Sequence, residues 1–365
     1  MSTAKLRPTI FGTGLLALDL VISADPEIPV RAWAGGTCGN VLSILAVLGW
    51  DAYPVARMNG DSASQRVRAD LKKWGVQLKF ASCHPTTDTP IIVQRILRKK
   101  DGSPTHRFSW ACPHCGSWLP GFKPVTTQAI EPVLEHIDTA KAFFMDRLSR
   151  SALLMAKRAA DAGAVVIFEP SAKSDEKMLR EASQIAHIVK YSEERFAQIP
   201  YIMESGSSTL LEVQTSGASG LRYRHRLHHA VSGWKQLDAV HPDRVTDTCG
   251  SGDWCTAGLI SKLATNGHKG LRAYGIDDLT TALRFGQKLA AWNLGFEGAR
   301  GGMYAVARDR LEKYLKSLAS GRSEPMQSVV SRARSVRAAI ACPACSPGTK
   351  YSGLSKHSHG LSGGS

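Results

Sequence analysis

Asp247-Thr248-Cys249-Gly250-Ser251-Gly252-Asp253, followed by Trp254-Cys255-Thr256-Ala257-Gly258-Leu259-Ile260, is the stretch that decides the fold. Two glycines one residue apart let backbone N–H groups converge. The helix-forming run behind them adds the positive end of a helix dipole. Such a nest holds negative charge, above all that of a transferring phosphoryl group. Asp253 stands at its mouth, where a carboxylate can take the proton of an attacking hydroxyl. The plainer reading is an aspartate capping a helix after a glycine turn, which serves stability alone.

Upstream of this loop, apolar runs alternate with helix-like stretches. Residues 8–22 read as a first strand ending near Asp19, 40–50 as a helix, 52–60 as a strand and 62–76 as an amphipathic helix. Residues 141–148, 164–171 and 186–192 are short apolar strands, with a helix at 151–164 between the first two. Strands alternating with helices predict an α/β fold, a doubly wound, mostly parallel sheet with helices on both faces. Residues 89–110 break the rhythm: two β-rich runs flank Asp101-Gly102, a good hairpin turn, and predict a β-flap outside the main sheet. In that flap Gln94, Arg95, His106 and Arg107 are candidates to face a substrate, although period-2 spacing turns half of them to solvent.

An early counterpart to the late loop is Gly35-Gly36-Thr37-Cys38-Gly39-Asn40, which also leads into a helix. A carboxylate (Asp19) and an amide (Asn40) near the carboxyl ends of parallel strands are well placed to hold the hydroxyls of a polyol. The pairing of an early G-G-x-x-x-N with a late D-T-x-G-x-G-D resembles the PfkB/ribokinase family of carbohydrate kinases. Gly60-Asp61, Thr215-x-Gly217-x-x-Gly220 and the late stretch 289–302 extend the resemblance, in order, over roughly residues 8 to 318.

That resemblance implies a ribokinase-like kinase with a small β lid, using ATP and Mg²⁺. Asp253 would be the base and Gly250, Ser251 and Gly252 the anion hole. Asp19, Gly35, Gly36 and Asn40 would meet the substrate, and Thr215, Gly217, Gly220 and Asn293 would lie by the nucleotide. The lid would comprise roughly 21–33 and 89–111 of a kinase domain covering 1–320; a homodimer through such a lid is a family habit. One departure stands out. Where the family commonly carries Asn-x-x-Glu to organise Mg²⁺, this chain reads Ser192-Glu193-Glu194-Arg195, so Glu194 is the candidate carboxylate, one residue early.

The 365 residues are 43% hydrophobic and 21% charged, enough for a large core. No apolar run reaches the roughly 18 residues of a membrane span, and no leader pattern opens the chain, so a cytoplasmic protein is expected. A formal net charge of +15 favours anionic ligands. The basic residues are scattered and no nucleic-acid motif accompanies them, which argues against nucleic acid as the partner. The Gly12-Thr13-Gly14 of the first strand lacks the third glycine of a dinucleotide fingerprint. From about Gly321 to residue 365 the chain becomes a basic, then Ser/Gly-rich tail of disordered character.

Two of the eight cysteines form Cys112-Pro113-His114-Cys115-Gly116, and two more form Cys342-Pro343-Ala344-Cys345. Three readings stand: one structural Zn²⁺ shared by all four, two unrelated reduced pairs, or a redox switch. Zinc is the expectation carried forward. His228, His229, His357 and His359 read as solvated or satisfied rather than as ligands. A second functional reading, from a different class, is a catalytically retired sugar- or nucleotide-binding regulator with a zinc-stabilised tail.

Overall fold

The computed structural model describes residues 6–170, 174–196, 199–227 and 230–321, together with Cys342 and Cys345. Most of the Gly321–365 tail and His228, His229, His357 and His359 therefore lie outside the described residues.

In chain order the first elements are β1 (Thr9–Thr13), β2 (Ala17–Ile22), β3 (Arg31–Gly35), α1 (Thr37–Val47), β4 (Asp51–Met58), α2 (Ser62–Lys73) and β5 (Ala81–Cys83). The flap follows as β6 (Ile91–Arg98) and β7 (Pro104–Ser109), then α3 (Glu131–Leu134), β8 (Ala142–Met145), α4 (Arg150–Asp161), β9 (Val165–Phe168), α5 (Glu176–Ile185) and β10 (Ile188–Ser192). The last part comprises β11 (Leu211–Thr215), β12 (Leu221–His225), β13 (Lys235–Leu237), α6 (Ser251–Leu263), α7 (Gly267–Ala273), α8 (Ile276–Asn293), α9 (Gly301–Ala305) and α10 (Arg308–Ala319).

Nine strands form one sheet in the order β13-β12-β11-β10-β9-β8-β1-β4-β5. From β11 to β5 every pairing is parallel; β12 and β13 add an antiparallel edge. The period of two in the strands divides the core. Ile10, Phe144, Val165 and Ile167 face one cluster, which takes in α1, α6 and α8. Phe11, Phe143, Val166 and Phe168 face the other, with α4 and α5. A parallel strand buried on both sides must be apolar at every position, which is why these runs read as continuous rather than alternating.

A second sheet has the order β3-β2-β6-β7. The β6–β7 hairpin turns at Asp101-Gly102, with Gly102 at φ 80°, as the turn pair predicts. Residues 8–22 do not form the single strand expected. The chain bends at Gly14 (φ 139°), the Leu15 amide donates to Asp146 Oδ1 at 2.9 Å, and β2 starts anew in the small sheet. Asp19 therefore sits in mid-strand on the lid, between Trp33 and Ile92, instead of closing a strand of the large sheet. Apolar residues continue across the bend, which hides it from a hydrophobicity pattern.

Candidate active site

The Asp247–Asp253 loop opens at the N-terminus of α6. Gly250 occupies the N-cap in the left-handed region (φ 77°), and a Cβ there would run into the backbone of Ala299. Both facts demand glycine. The first helical turn leaves amides without a partner in their own helix, an arrangement suited to an anion, although the Ser251 amide lies 3.5 Å from the Thr248 carbonyl.

Asp253 lies in that turn, half-buried, with Oδ2 accepting from Asn40 Nδ2 at 2.7 Å. Its surroundings push its pKa up to about 7: burial is the main cause, then the charge of Glu169, while Asn40, Lys190 and Arg195 pull less strongly the other way. A carboxyl poised near neutrality suits a general base.

Beneath the loop lies an ion pair the sequence did not announce as functional. Lys190 of β10 is 1% exposed and donates from Nζ to Glu169 Oε1 at 2.7 Å. Thr256 of α6 donates to the other Glu169 oxygen. Both Lys190 Nζ and Glu169 Oε1 lie 3.6 Å from where a Gly252 Cβ would stand. Burial, the largest single influence, opposes the charge on Lys190, but Glu169, Cys255 and Asp253 together outweigh it and the pKa is raised, so a fixed cation lies beneath the loop.

The other side of the site is built from the small sheet, from α1 and α2, and from the loops that carry Asp247 and Arg300. Asn40, in the first turn of α1, also receives a bond from Arg300 Nε to its Oδ1 at 3.0 Å. Arg300, only 2% exposed, further donates to the Ala34 carbonyl and, at 3.2 Å, to Asp70 Oδ2. Tyr304 and the Ala34 amide hold the same carboxylate oxygen at 2.6 and 2.8 Å. On the flap, Gln94 Nε2 donates to Asp247 Oδ2 at 2.6 Å, while His106 Nδ1 lies 3.4 Å from Asp247 Oδ1. Asp247 accepts as well from the amides of Cys249 (3.0 Å) and Gly298 (2.8 Å). Burial raises its pKa, but these donors outweigh that and hold it below the usual carboxylate value.

Three buried polar atoms on this side lack partners among the described residues: Asp19 Oδ1, Gln94 Oε1 and Arg300 Nη1. Unsatisfied buried groups are rare and point to a ligand or an ordered water. Burial raises Asp19 to about 7, with Arg300 and the Gly36 amide opposing. A Cβ on Gly35 would overlap the Asp19 carboxylate, which accounts for that glycine.

The site brings Asp253, Gly250, Ser251, Gly252, Asp19, Gly35, Gly36 and Asn40 together. The Asn40 amide donates one bond to Asp253 and accepts one from Arg300, so it holds the Asp253 carboxylate in place. Thr215 closes β11, and Gly217 and Gly220 shape the turn into β12. Asn293 is fully buried; it donates to the Ala299 carbonyl at 3.1 Å and accepts from the Gly302 amide at 3.2 Å, bracing the loop whose Ala299 backbone lies against Gly250. Glu193, Glu194 and Arg195 are exposed in the turn after β10, and the Arg195 charge acts on Asp253 and Cys249.

Sequence reasoning missed Lys190, Glu169, Asp70 and Arg300. Lys190 carries one signal, a lysine inside an otherwise apolar core strand. Arg300 carries none beyond its glycine-rich setting. Apart from this site, the four Sγ atoms of Cys112, Cys115, Cys342 and Cys345 all lie within 4.8 Å of one another, a group that can hold a metal ion.

Residues 29–304 match the pfkB family carbohydrate kinase pattern. The fold is similar to fructokinase with bound ATP from Xylella fastidiosa, at 18% identity and TM-score 0.66, over 87% of this chain and 100% of that one. It is similar also to the Burkholderia thailandensis nucleoside kinase in complex with inosine (19%, TM-score 0.61, 86% and 97%). Arabidopsis thaliana ribokinase complexed with ribose and ATP gives 17%, TM-score 0.61, 85% and 99%. No curated protein matches the sequence.

Proposed function

Because this chain belongs to the pfkB family of carbohydrate kinases and is a small-molecule kinase, we propose that it moves the γ-phosphoryl of ATP onto a hydroxyl of a sugar, sugar phosphate or nucleoside, with Asp253 as base. The observation that carries this reading is the half-buried Asp253, raised to about 7 and held by Asn40 at the mouth of a glycine-capped helix. The acceptor hydroxyl gives its proton to the Asp253 carboxylate as its oxygen bonds the γ-phosphorus. The bond from that phosphorus to the β–γ bridging oxygen breaks, and ADP leaves. The amides of the N-cap Gly250 and of Ser251 and Gly252 at the start of α6, with Lys190 below, stabilise the charge on the transferring group.

Asp19, Gly35, Gly36 and the flap residues Gln94 and His106 hold the acceptor, whose hydroxyls satisfy Asp19 Oδ1 and Gln94 Oε1. Thr215, Gly217 and Gly220 flank the nucleotide, with Asn293 bracing the adjoining loop. Glu193 and Glu194 offer exposed carboxylate oxygens of the hard kind Mg²⁺ requires, and Glu194 is assigned to it; the ion supplies charge neutralisation on the phosphates. A structural Zn²⁺ at the four cysteines completes the cofactors. No helix among the described residues is long and apolar enough to cross a membrane. The proposal places the chain in the cytoplasm, as a homodimer through the small sheet.

The second reading, a retired sugar- or nucleotide-binding regulator, draws on Arg195 standing where the family's glutamate would be. Turnover of ATP with a panel of sugars and nucleosides separates the two. ADP formation that depends on one acceptor supports the kinase. Saturable binding of ATP and an acceptor with no turnover supports the regulator.

A further inference from the structure

The four cysteines lie apart from the transfer chemistry, and their geometry is specific. Cys112 and Cys115 occupy a short hairpin that continues β7. Ala111 bridges Trp118, the Cys112 amide donates to the Ser117 carbonyl at 2.8 Å, and Gly116 (φ 76°) donates to the Cys112 carbonyl at 3.0 Å. The His114 amide points at Cys112 Sγ from 3.4 Å, the kind of donor that supports a thiolate ligand. Across from it, the Cys345 amide donates to the Cys342 carbonyl at 3.2 Å.

The sulfur spacing fits one ion. Cys112 Sγ is 3.7 Å from Cys345 Sγ, and Cys115 Sγ is 3.8 Å from Cys342 Sγ. Tetrahedral zinc with bonds of about 2.3 Å sets its sulfurs about 3.8 Å apart. A disulfide requires about 2.05 Å, so these sulfurs are not paired covalently. Cys112 and Cys342 are buried, whereas Cys115 is exposed and Cys345 half-buried, so the group is rooted in the core on one side and reaches the surface on the other.

The position of the centre gives it a mechanical connection. Cys112 and Cys342 share a core with Ile91 and Val93 of β6, and the Ile91 amide donates to the Pro120 carbonyl just past the hairpin. Gln94 and His106, on the two strands of this flap, contact Asp247, and Asp247 accepts the Cys249 amide in the anion loop. A short, packed path runs from the sulfurs to the loop.

We propose that the four cysteines form a Zn²⁺ latch, pinning the C-terminal segment that carries Cys342 and Cys345 to the root of the flap, and that its occupancy sets how firmly the flap grips the acceptor. The latch deepens the zinc part of the reading above and does not depend on phosphoryl transfer. A four-thiolate shell leaves no open position for water or substrate, so the metal does no chemistry. Cys115 and Cys342 are 227 positions apart, but the entropy of closing such a loop grows only logarithmically with length, so distance in sequence is no obstacle.

The test uses the full chain, purified without chelator, then stripped by chelation and reloaded with Zn²⁺ alone. Elemental analysis should give about one zinc per chain, falling below about one-tenth in a Cys342→Ser/Cys345→Ser variant. Hydrogen exchange across residues 104–119 should speed up by about tenfold or more on stripping and recover on reloading, while residues 251–263 stay unchanged. Acceptor KM should rise severalfold with ATP KM unchanged. Under about one-tenth zinc in the native chain, iron in its place, or full retention by the variant overturns the site. Zinc loss with unchanged flap exchange, in both the stripped chain and the variant, overturns the latch. A zinc-loaded chain whose flap responds, but which transfers phosphate to no acceptor, leaves the latch standing and removes the kinase reading.

Discussion

The two ends of the cleft are made of different material. The proposed phosphate end is mostly backbone: a glycine-capped helix start offers the donors, and seven consecutive residues, Asp247 to Asp253, contain the cap, the nest and the carboxylate. The proposed acceptor end relies mainly on side chains. Asp19, Asn40, Asp70, Gln94 and Arg300 come from five separate segments, and the bond from Arg300 to Asn40 spans 260 positions. A site that is contiguous in the chain can be read from the chain. One assembled by the fold can be read only after the fold is known.

Substitutions at the two ends should therefore fail in different ways. At the phosphate end the expected loss is in rate. Asp253→Asn keeps a carbonyl oxygen for Asn40 but cannot take a proton, so turnover should fall by about 10²–10⁴-fold. The ionised carboxylate is disfavoured by burial and by Glu169, so the variant's Tm at pH 8 should be equal or higher. Turnover within about threefold of the native protein would remove Asp253 as base.

Between the two ends, Arg300→Ala should fail in stability. It strands Asp70 without its cation in a buried setting, a loss of about 3–5 kcal/mol when one partner of a buried pair is removed. Tyr304 and the Ala34 amide still hold Asp70, which favours the lower figure. Urea unfolding measures it, and a change under about 1 kcal/mol would mean the pair is effectively solvated.

At the acceptor end, Asp19→Ala should show as lost affinity. Its unpartnered Oδ1 is expected to take an acceptor hydroxyl, and losing a bond to a charged group costs about 1.5–3 kcal/mol, or about 10- to 150-fold in acceptor KM. ATP KM should stay put. A change in ATP KM alone would reverse the assignment of the two ends.

The same contrast governs what could be read beforehand. Alternation of apolar runs and helices gave the parallel sheet because strands buried on both faces must be continuously apolar. Asp101-Gly102 marked the flap turn because only certain residues accept a positive φ there. The bend at Gly14 was not visible, since Leu15 and Leu16 keep the run apolar across it, and Asp19 was consequently placed on the wrong sheet. Asn40 was legible as a site residue, but its partners were not: nothing in a sequence says that Arg300 will reach it. Lys190 and Glu169 sit in strand and strand-end positions whose pattern reads as core. The role proposed for them follows from lying under Gly252, a relation that exists only in three dimensions.

The central claim is transfer of a phosphoryl group to an acceptor with Asp253 as base, and following the γ-phosphoryl as a function of pH tests it most directly. With γ-labelled ATP and a panel of sugars and nucleosides, label should appear on one acceptor. A base must be ionised, and Asp253 is raised to about 7, so the rate should be level above that pH. It should fall about tenfold for each pH unit below it. Label found on no acceptor, or a transfer rate unchanged between pH 8 and pH 5.5, would contradict the account.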